Sequence, residues 1–411
     1  VFGDGKKYHL IHQVNDLGPL PHLLKPGQVI WLPGKAAGPV ARVSALRRDV
    51  KERARRAADW KRARIRQGLW KLHRVSTGDK SSARIRFEDA SRLRMRENAL
   101  LVIYGGASQR TRVKRVIKTT VVLEKGTIKG GLARMDREAG LQVRTPSSQI
   151  TLNSTLSQVQ VDQLKTSIVS VYKGLANVAA RGARVLVPKG HGTYVRRGYR
   201  PAKPIPLPPP PAWAAGTADG VVLVPTGFAG QFEARWASVR RAKRYRVEVA
   251  QDPRFNRIMV DAVVGAGIRR FEAKDLALGT YYARVAAIDR FKLEGRPSKP
   301  LRVRLLPLRS SKQLKRDARG VYEAVGLLRL EPSPKHARGV EVSVDGAPYA
   351  PATKALRLYR PGMHRIRYRQ RGGRGATEMQ VRLLRVTAAL TLPTTPLQVG
   401  GPSARVAVTV T

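Results

Sequence analysis

Residues 75–87 read VSTGDKSSARIRF, and residues 92–95 read RLRM. Ala83, Ile85 and Phe87 alternate with Arg84 and Arg86, and Leu93 and Met95 alternate with Arg92 and Arg94. A period of two places the apolar set on one face and the arginines on the other, the pattern of a half-buried strand. Ser76-Thr77-Gly78-Asp79 ahead of them is turn chemistry. Working outward, the same short patterns predict strands at Val40–Leu46, Leu100–Ile103, Thr119–Leu123 and Leu141–Val143, separated by clusters such as Glu124-Lys125-Gly126. Arg47–Arg66 has the charge and alanine content of a helix. Its strand-like neighbours and the turn-like Asp59-Trp60 predict two strands and a turn instead. Residues 39–200 therefore read as one mainly β block.

Composition bounds what such a chain does. Of 411 residues 42% are hydrophobic, enough to bury cores, and 79 Lys and Arg against 28 Asp and Glu leave a formal charge of +51. That field attracts polyanions: nucleic acid, anionic lipid, acidic glycan or an acidic protein surface. The alternative is a solvated, arginine-rich surface. The bases are spread along the chain and alternate with apolar residues, as in Leu301–Leu306, which places them on outer strand faces rather than on one recognition helix. The absence of cysteine excludes disulfides, thiolate metal sites and cysteine nucleophiles, and leaves the redox compartment open. No apolar run approaches the roughly 18–20 residues that span a bilayer. Val1-Phe2-Gly3-Asp4 begins in mid-motif and Val406–Thr411 ends on an unfinished strand pattern, so a missing leader or anchor excludes nothing.

The other segments differ in texture. In residues 1–33, Tyr8, Leu10, Ile11 and Val14 have helical spacing, Asn15–Pro19 stops the helix, and Pro26-Gly27 turns into a short strand. Residues 201–213 hold seven prolines and read as a stiff polyproline II linker. Residues 214–306 read as seven short strands, with Phe232, Ala234, Trp236, Tyr245, Val247 and Val249 facing inward. Leu308–Gly320 reads as a basic linker or short helix. In 321–385, strands at Val340–Val344, Ala355–Tyr359 and His364–Tyr368 flank Asp345-Gly346, a tight-turn pair. Residues 386–411 start a further β module.

Four resemblances follow from quoted phrases. Lys7–Val14, Asn15 and Lys25-Pro26-Gly27-Gln28 leading into Ile30-Trp31-Leu32-Pro33 resemble the second half of a LysM module, an α+β repeat that binds N-acetylglucosamine-containing glycans. That resemblance implies glycan contact by Asn15, Asp16, Leu17, Leu23 and Leu24. Val75–Phe87, Arg92–Met95, Leu123–Gly126, Val143–Ser147, Ser170–Gly174 and Val187–Gly192 occur in the order and spacing of a FecR-type domain, a β-rich periplasmic fold. Asn153–Leu156 departs from that family's Gly-Thr step and implies a wider turn. The 214–306 strands, with Trp236, Arg244–Val249 and Gly279–Val285, resemble a fibronectin type III-like sandwich, and 321–385 resembles a small Ig-like or PEGA-like module.

Catalytic and metal readings are weaker. His9 and His12 share a helix face, yet no third ligand follows at metal-site spacing. Ser147 and Ser148 approach His191 in number only and read as turn residues. No enzyme activity, cofactor or metal is expected, and Trp236, Tyr245 and Tyr281 read as core rather than as base-stacking platforms. The reading reached is a non-catalytic scaffold of the bacterial periplasm or cell envelope. Its expected partners are peptidoglycan or a related glycan, other envelope proteins and further copies of the chain. The alternatives are a FecR-type transducer between an outer-membrane receptor and a sigma factor, or a polyanion- or nucleic-acid-binding protein; no specific nucleic acid is expected as a partner.

Overall fold

The computed structural model describes Asn15 and residues 38–110, 115–133, 140–215, 217, 220–333, 338–371 and 376–385, with only the backbone course for 105–110 and 115–118. The helix of residues 7–14, most of the LysM-like segment, and residues 386–411 lie outside this set. Asn15 is itself helical. The remainder is β-structure in two compact units, Val1–Leu207 and Pro208–Thr411.

The described residues of the first unit form one hydrogen-bonded network of fifteen strands. These are β1 (Ala41–Arg47), β2 (Val50–Arg53), β3 (Lys61–Arg62), β4 (Gly68–Leu69), β5 (Arg74–Thr77), β6 (Ser82–Phe87), β7 (Arg92–Met95) and β8 (Leu100–Arg110). They continue as β9 (Arg115–Gly131), β10 (Leu141–Arg144), β11 (Gln149–Val161), β12 (Ser167–Ala180), β13 (Ala183–Pro188), β14 (His191–Val195) and β15 (Ile205–Pro206). The alternation at 82–95 is realised in β6 and β7: Ala83, Ile85, Phe87, Leu93 and Met95 join one buried core with Val43, Leu101, Leu123, Val143 and Val171. Arg47–Arg66 forms the β2–β3 hairpin, not a helix, because Val50 and Glu52 alternate inward and β2 pairs with β5.

Two expectations change. Asn153–Leu156 makes no turn: it lies inside β11, where the register against β12 slips in a bulge. Leu156 N–H bonds Ser154 Oγ, Ser157 Oγ–H donates to the same oxygen, and Ser154 donates to the Lys173 carbonyl, so hydroxyls occupy the ladder positions the bulge vacates. The proline-rich segment is engaged rather than free. Ile205-Pro206 pairs with β14, and Leu207 N–H bonds the Gly190 carbonyl. The unit boundary falls after Leu207, and Trp213 bridges to Trp236 in the second unit.

The second unit begins with β16 (Gly220–Pro225), β17 (Gly230–Arg235), β18 (Arg244–Ala250), β19 (Ile258–Gly265), β20 (Arg270–Leu276), β21 (Gly279–Ile288) and β22 (Leu301–Ser310). β17 and β20 form a two-stranded sheet; β19-β18-β21-β22, with β16 parallel to β22, forms the other. These seven strands make a fibronectin type III-like sandwich. Its core holds Trp236 edge-on to Tyr245 at 5.5 Å, and Tyr281 Oη donates to the Ala277 carbonyl at 2.8 Å, the tyrosine corner of such sandwiches. With Trp236, Tyr245 and Tyr281 no more than 2% exposed, none is a stacking platform.

Beyond it lie β23 (Lys315–Arg316), β24 (Tyr322–Val325), β25 (Leu328–Pro332), β26 (Val340–Val344), β27 (Ala350–Pro351), β28 (Leu356–Leu358), β29 (Gly362–Gln370) and β30 (Ala376–Leu384). The expected linker or short helix at Leu308–Gly320 is corrected. β22 runs through to Ser310 and pairs there with β25, and Lys315-Arg316 pairs with β24. β16 is buried on both faces: Val222 and Val224 enter the sandwich core, while Val221 and Leu223 enter the core of the last module. The two modules therefore share strands instead of being joined by a tether.

Candidate functional site: an arginine-lined concavity

The densest basic stretch of the chain, ten Lys and Arg among residues 47–66, folds into the β2–β3 hairpin and its flanks. Strand register decides what those bases do. Arg53 of β2 stands opposite Arg74 of β5, Arg74 opposite Val102 of β8, and Val102 opposite Val122 of β9. This row crosses the face of the sheet opposite the core residues Val75, Leu101, Ile103 and Leu123. With residues 54–58 it encloses a concavity of about 550 Å³, lined also by Arg55, Arg56, Tyr104 and Glu124. Arg53 lies over the Trp60 ring, 5.0 Å from its centroid, which fixes one guanidinium by cation–π attraction.

Behind the row sits a buried polar pair. Glu52 points inward from β2, and its Oε2 lies 3.4 Å from His73 Nδ1. Neither atom has a well-formed hydrogen bond. Burial lowers the His73 pKa, and the neighbouring carboxylate offsets only part of that. The turn at Trp70–His73 is pinned to β8: Leu72, at φ 68°, donates its N–H to Ile103, and Ile103 N–H donates to the His73 carbonyl at 2.9 Å. Chemically the site offers several guanidinium donors, one of them held over Trp60, one carboxylate and the Tyr104 ring. That inventory suits an oxygen anion.

Of the residues expected to contact glycan, Asn15 is helical and half-buried, while Asp16, Leu17, Leu23 and Leu24, like His9 and His12, lie outside the described residues. Ser147 and Ser148 meet other hydroxyls, not His191. Ser147 Oγ lies 2.5 Å from Ser167 Oγ, Ser167 donates to Thr145 Oγ1 at 2.7 Å, and Thr145 Oγ1 lies 2.9 Å from Ser148 Oγ. His191 Nδ1 faces the Lys189 carbonyl at 3.3 Å. Among the described residues no group of three His, Asp or Glu is placed to hold a metal. The concavity itself escapes the sequence reading, which spreads the bases over outer strand faces without gathering them at one place. The density of bases in 47–66 was the available signal; the opposition of Arg53 and Arg74 needs the register.

Residues 73–177 match the family model described as FecR protein. The matched segment runs from the start of β5 through most of β12, so the concavity takes Arg74, Tyr104 and Glu124 from the FecR-matching segment and Arg53, Arg55 and Arg56 from the hairpin before it. Among solved structures, a candidate anti-sigma factor from Parabacteroides distasonis is 13% identical, with 32% of this chain and 59% of that chain covered, at a TM-score of 0.26. A second such structure from the same organism is 11% identical over 47% of this chain and 85% of its own, at 0.27. Fibronectin(III)-like modules of Clostridium thermocellum CbhA are 10% identical over 43% and 94%, at 0.21. No curated protein matches the chain.

Proposed function

We propose that this chain is a non-catalytic regulator of the bacterial envelope of FecR type, relaying the state of an outer-membrane receptor toward a sigma factor. The observation that carries this reading is the FecR match over residues 73–177, which takes in most of the first unit's sheet. The lack of catalytic machinery is part of the proposal, and the hydrogen bonding of Ser147 and Ser148 among hydroxyls fits it. The described helical content includes no segment long and apolar enough to cross a membrane, so any crossing element belongs to the proposal alone. A scaffold reading keeps one specific support: the strands shared between the modules of the second unit suit a rigid spacer.

Deleting the gene in its source bacterium and profiling transcripts separates the two. The relay reading expects a confined set of promoters under one sigma factor to change several-fold and to return with the intact gene. No such set, together with salt-resistant co-sedimentation on peptidoglycan sacculi that requires residues 1–33, would replace it with the scaffold.

A further inference from the structure

Arg53 and Arg74 face one another directly across antiparallel strands, and like charges so placed repel. Arg53, its guanidinium over Trp60, and Arg74 both line the concavity. Two guanidinium groups on one wall, one of them held over Trp60, form a fork for an oxygen anion, since planar bidentate donors match carboxylate and phosphate. Arg55, exposed on the loop after β2, adds a third donor set to the lining.

The rest of the lining narrows the class of anion. Glu124 puts a carboxylate into the same concavity. A purely anionic peptide would be repelled there, whereas a ligand that also carries hydroxyls donates to it. Tyr104, in the same lining, is 38% exposed and offers flat apolar surface on which a sugar ring rests. A nucleic-acid strand needs a basic track that continues along its backbone, but here the row runs from Arg74 into Val102 and Val122. The volume of about 550 Å³ falls within the roughly 300–1,000 Å³ of small-ligand sites. We infer that the concavity between the β2–β3 hairpin and β5–β8–β9 binds an acidic glycan, a sugar ring whose carboxylate or phosphate bridges Arg53 and Arg74 while its hydroxyls reach Glu124 and its face packs on Tyr104. The site differs in place and ligand charge from the LysM-like segment, and it stands whether or not the chain relays a signal.

Isothermal titration of the full chain in about 0.15 M salt, where surface electrostatics are partly screened, tests the assignment. The probes are tetragalacturonate and glucose 1,6-bisphosphate, with cellotetraose, tetraglutamate and an eight-nucleotide oligothymidylate as controls. At least one acidic sugar should bind at least tenfold tighter than every control, and which one does so identifies carboxylate or phosphate as the anion. Arg55→Glu, on the exposed loop, should weaken that binding at least tenfold. Tyr104→Ala should weaken sugar binding and leave tetraglutamate unchanged, and Arg53→Lys, which keeps the charge but loses the fork, should weaken it while the circular dichroism stays that of the parent. Tetraglutamate or oligothymidylate binding as tightly as the sugars, or an Arg55→Glu chain that binds them undiminished, overturns the proposal.

Discussion

His73 and His364 carry the same side chain and are tuned in opposite directions. Burial holds His73 below the ordinary imidazole value, and Glu52 restores only part of the difference. Burial also pushes His364 down, but its Nε2 faces the Arg360 carbonyl and its Nδ1 the Asp345 carboxylate, each at 2.8 Å, and these bonds hold it above the ordinary value. At Asp345 burial is likewise outweighed, by the Arg365 N–H and by His364, and its pKa is lowered. A histidine lowered in the folded state takes its proton more readily when unfolded, so its contribution is full above the ordinary value near 6.5 and is lost as pH falls. A raised histidine contributes fully below that value and loses its contribution as pH rises through the folded pKa. Urea unfolding between pH 5 and 8 should therefore show first-unit stability rising with pH through His73, and a smaller opposite slope in the second unit, smaller because Asp345 is 47% exposed. His73→Gln and His364→Gln should each flatten only their own unit's slope; slopes of one sign, or unchanged by the substitutions, would refute the assignment. Little of this is written locally. The Asp345-Gly346 turn is, and the structure bears it out with φ values of 51° and 88°, but the return of His364 onto Asp345 needs β26 and β29 paired.

Strands whose flanks agree were readable from their own residues. The period of two at 82–95 specifies both a strand and its buried face, because a one-residue slip would bury Arg84 and Arg86. Arg47–Arg66 was readable only through its neighbours, since its own composition is that of a helix. The bulge in β11 reads as a turn in the sequence because Asn, Ser and Thr suit both, and only the continuing pairs with β12 on either side distinguish them. That bulge presses on β9: a Cβ at Gly131 would lie 2.1 Å from the Ser154 carbonyl oxygen. The obstacle is backbone, with no side chain to swing aside. Gly131→Ala should cost about 3 kcal/mol, the upper end for overpacking, read as a lower urea midpoint for the first unit. A change below about 0.5 kcal/mol, the scale of an ordinary surface substitution, would show that the crossing is loose.

At the scale of the molecule, residues 214–385 read in sequence as successive modules, and the structure couples them mechanically. A chain of independent beads would unfold bead by bead, whereas β16 places alternate residues in two cores. Calorimetry should show the second unit melting in one transition. Leu223→Ala, in the last module's core, and Val224→Ala, in the sandwich core, should both lower that transition, the leucine change by about 2–5 kcal/mol. Separate transitions for 214–306 and 321–385, each answering to one substitution, would restore the beads. By itself the sequence determined the β class, most strand positions, the sandwich core around Trp236 and Tyr245, the FecR-like phrases and the excess of positive charge, because each rests on periodicity, turn chemistry or composition within a few residues. Tertiary structure alone decided the register that sets Arg53 against Arg74, the burial of Glu52 beside His73 and the sharing of β16 and β22 between two cores. Those features join residues far apart in the chain, and a local pattern that places a side chain on a face carries no information about which side chain will stand opposite it.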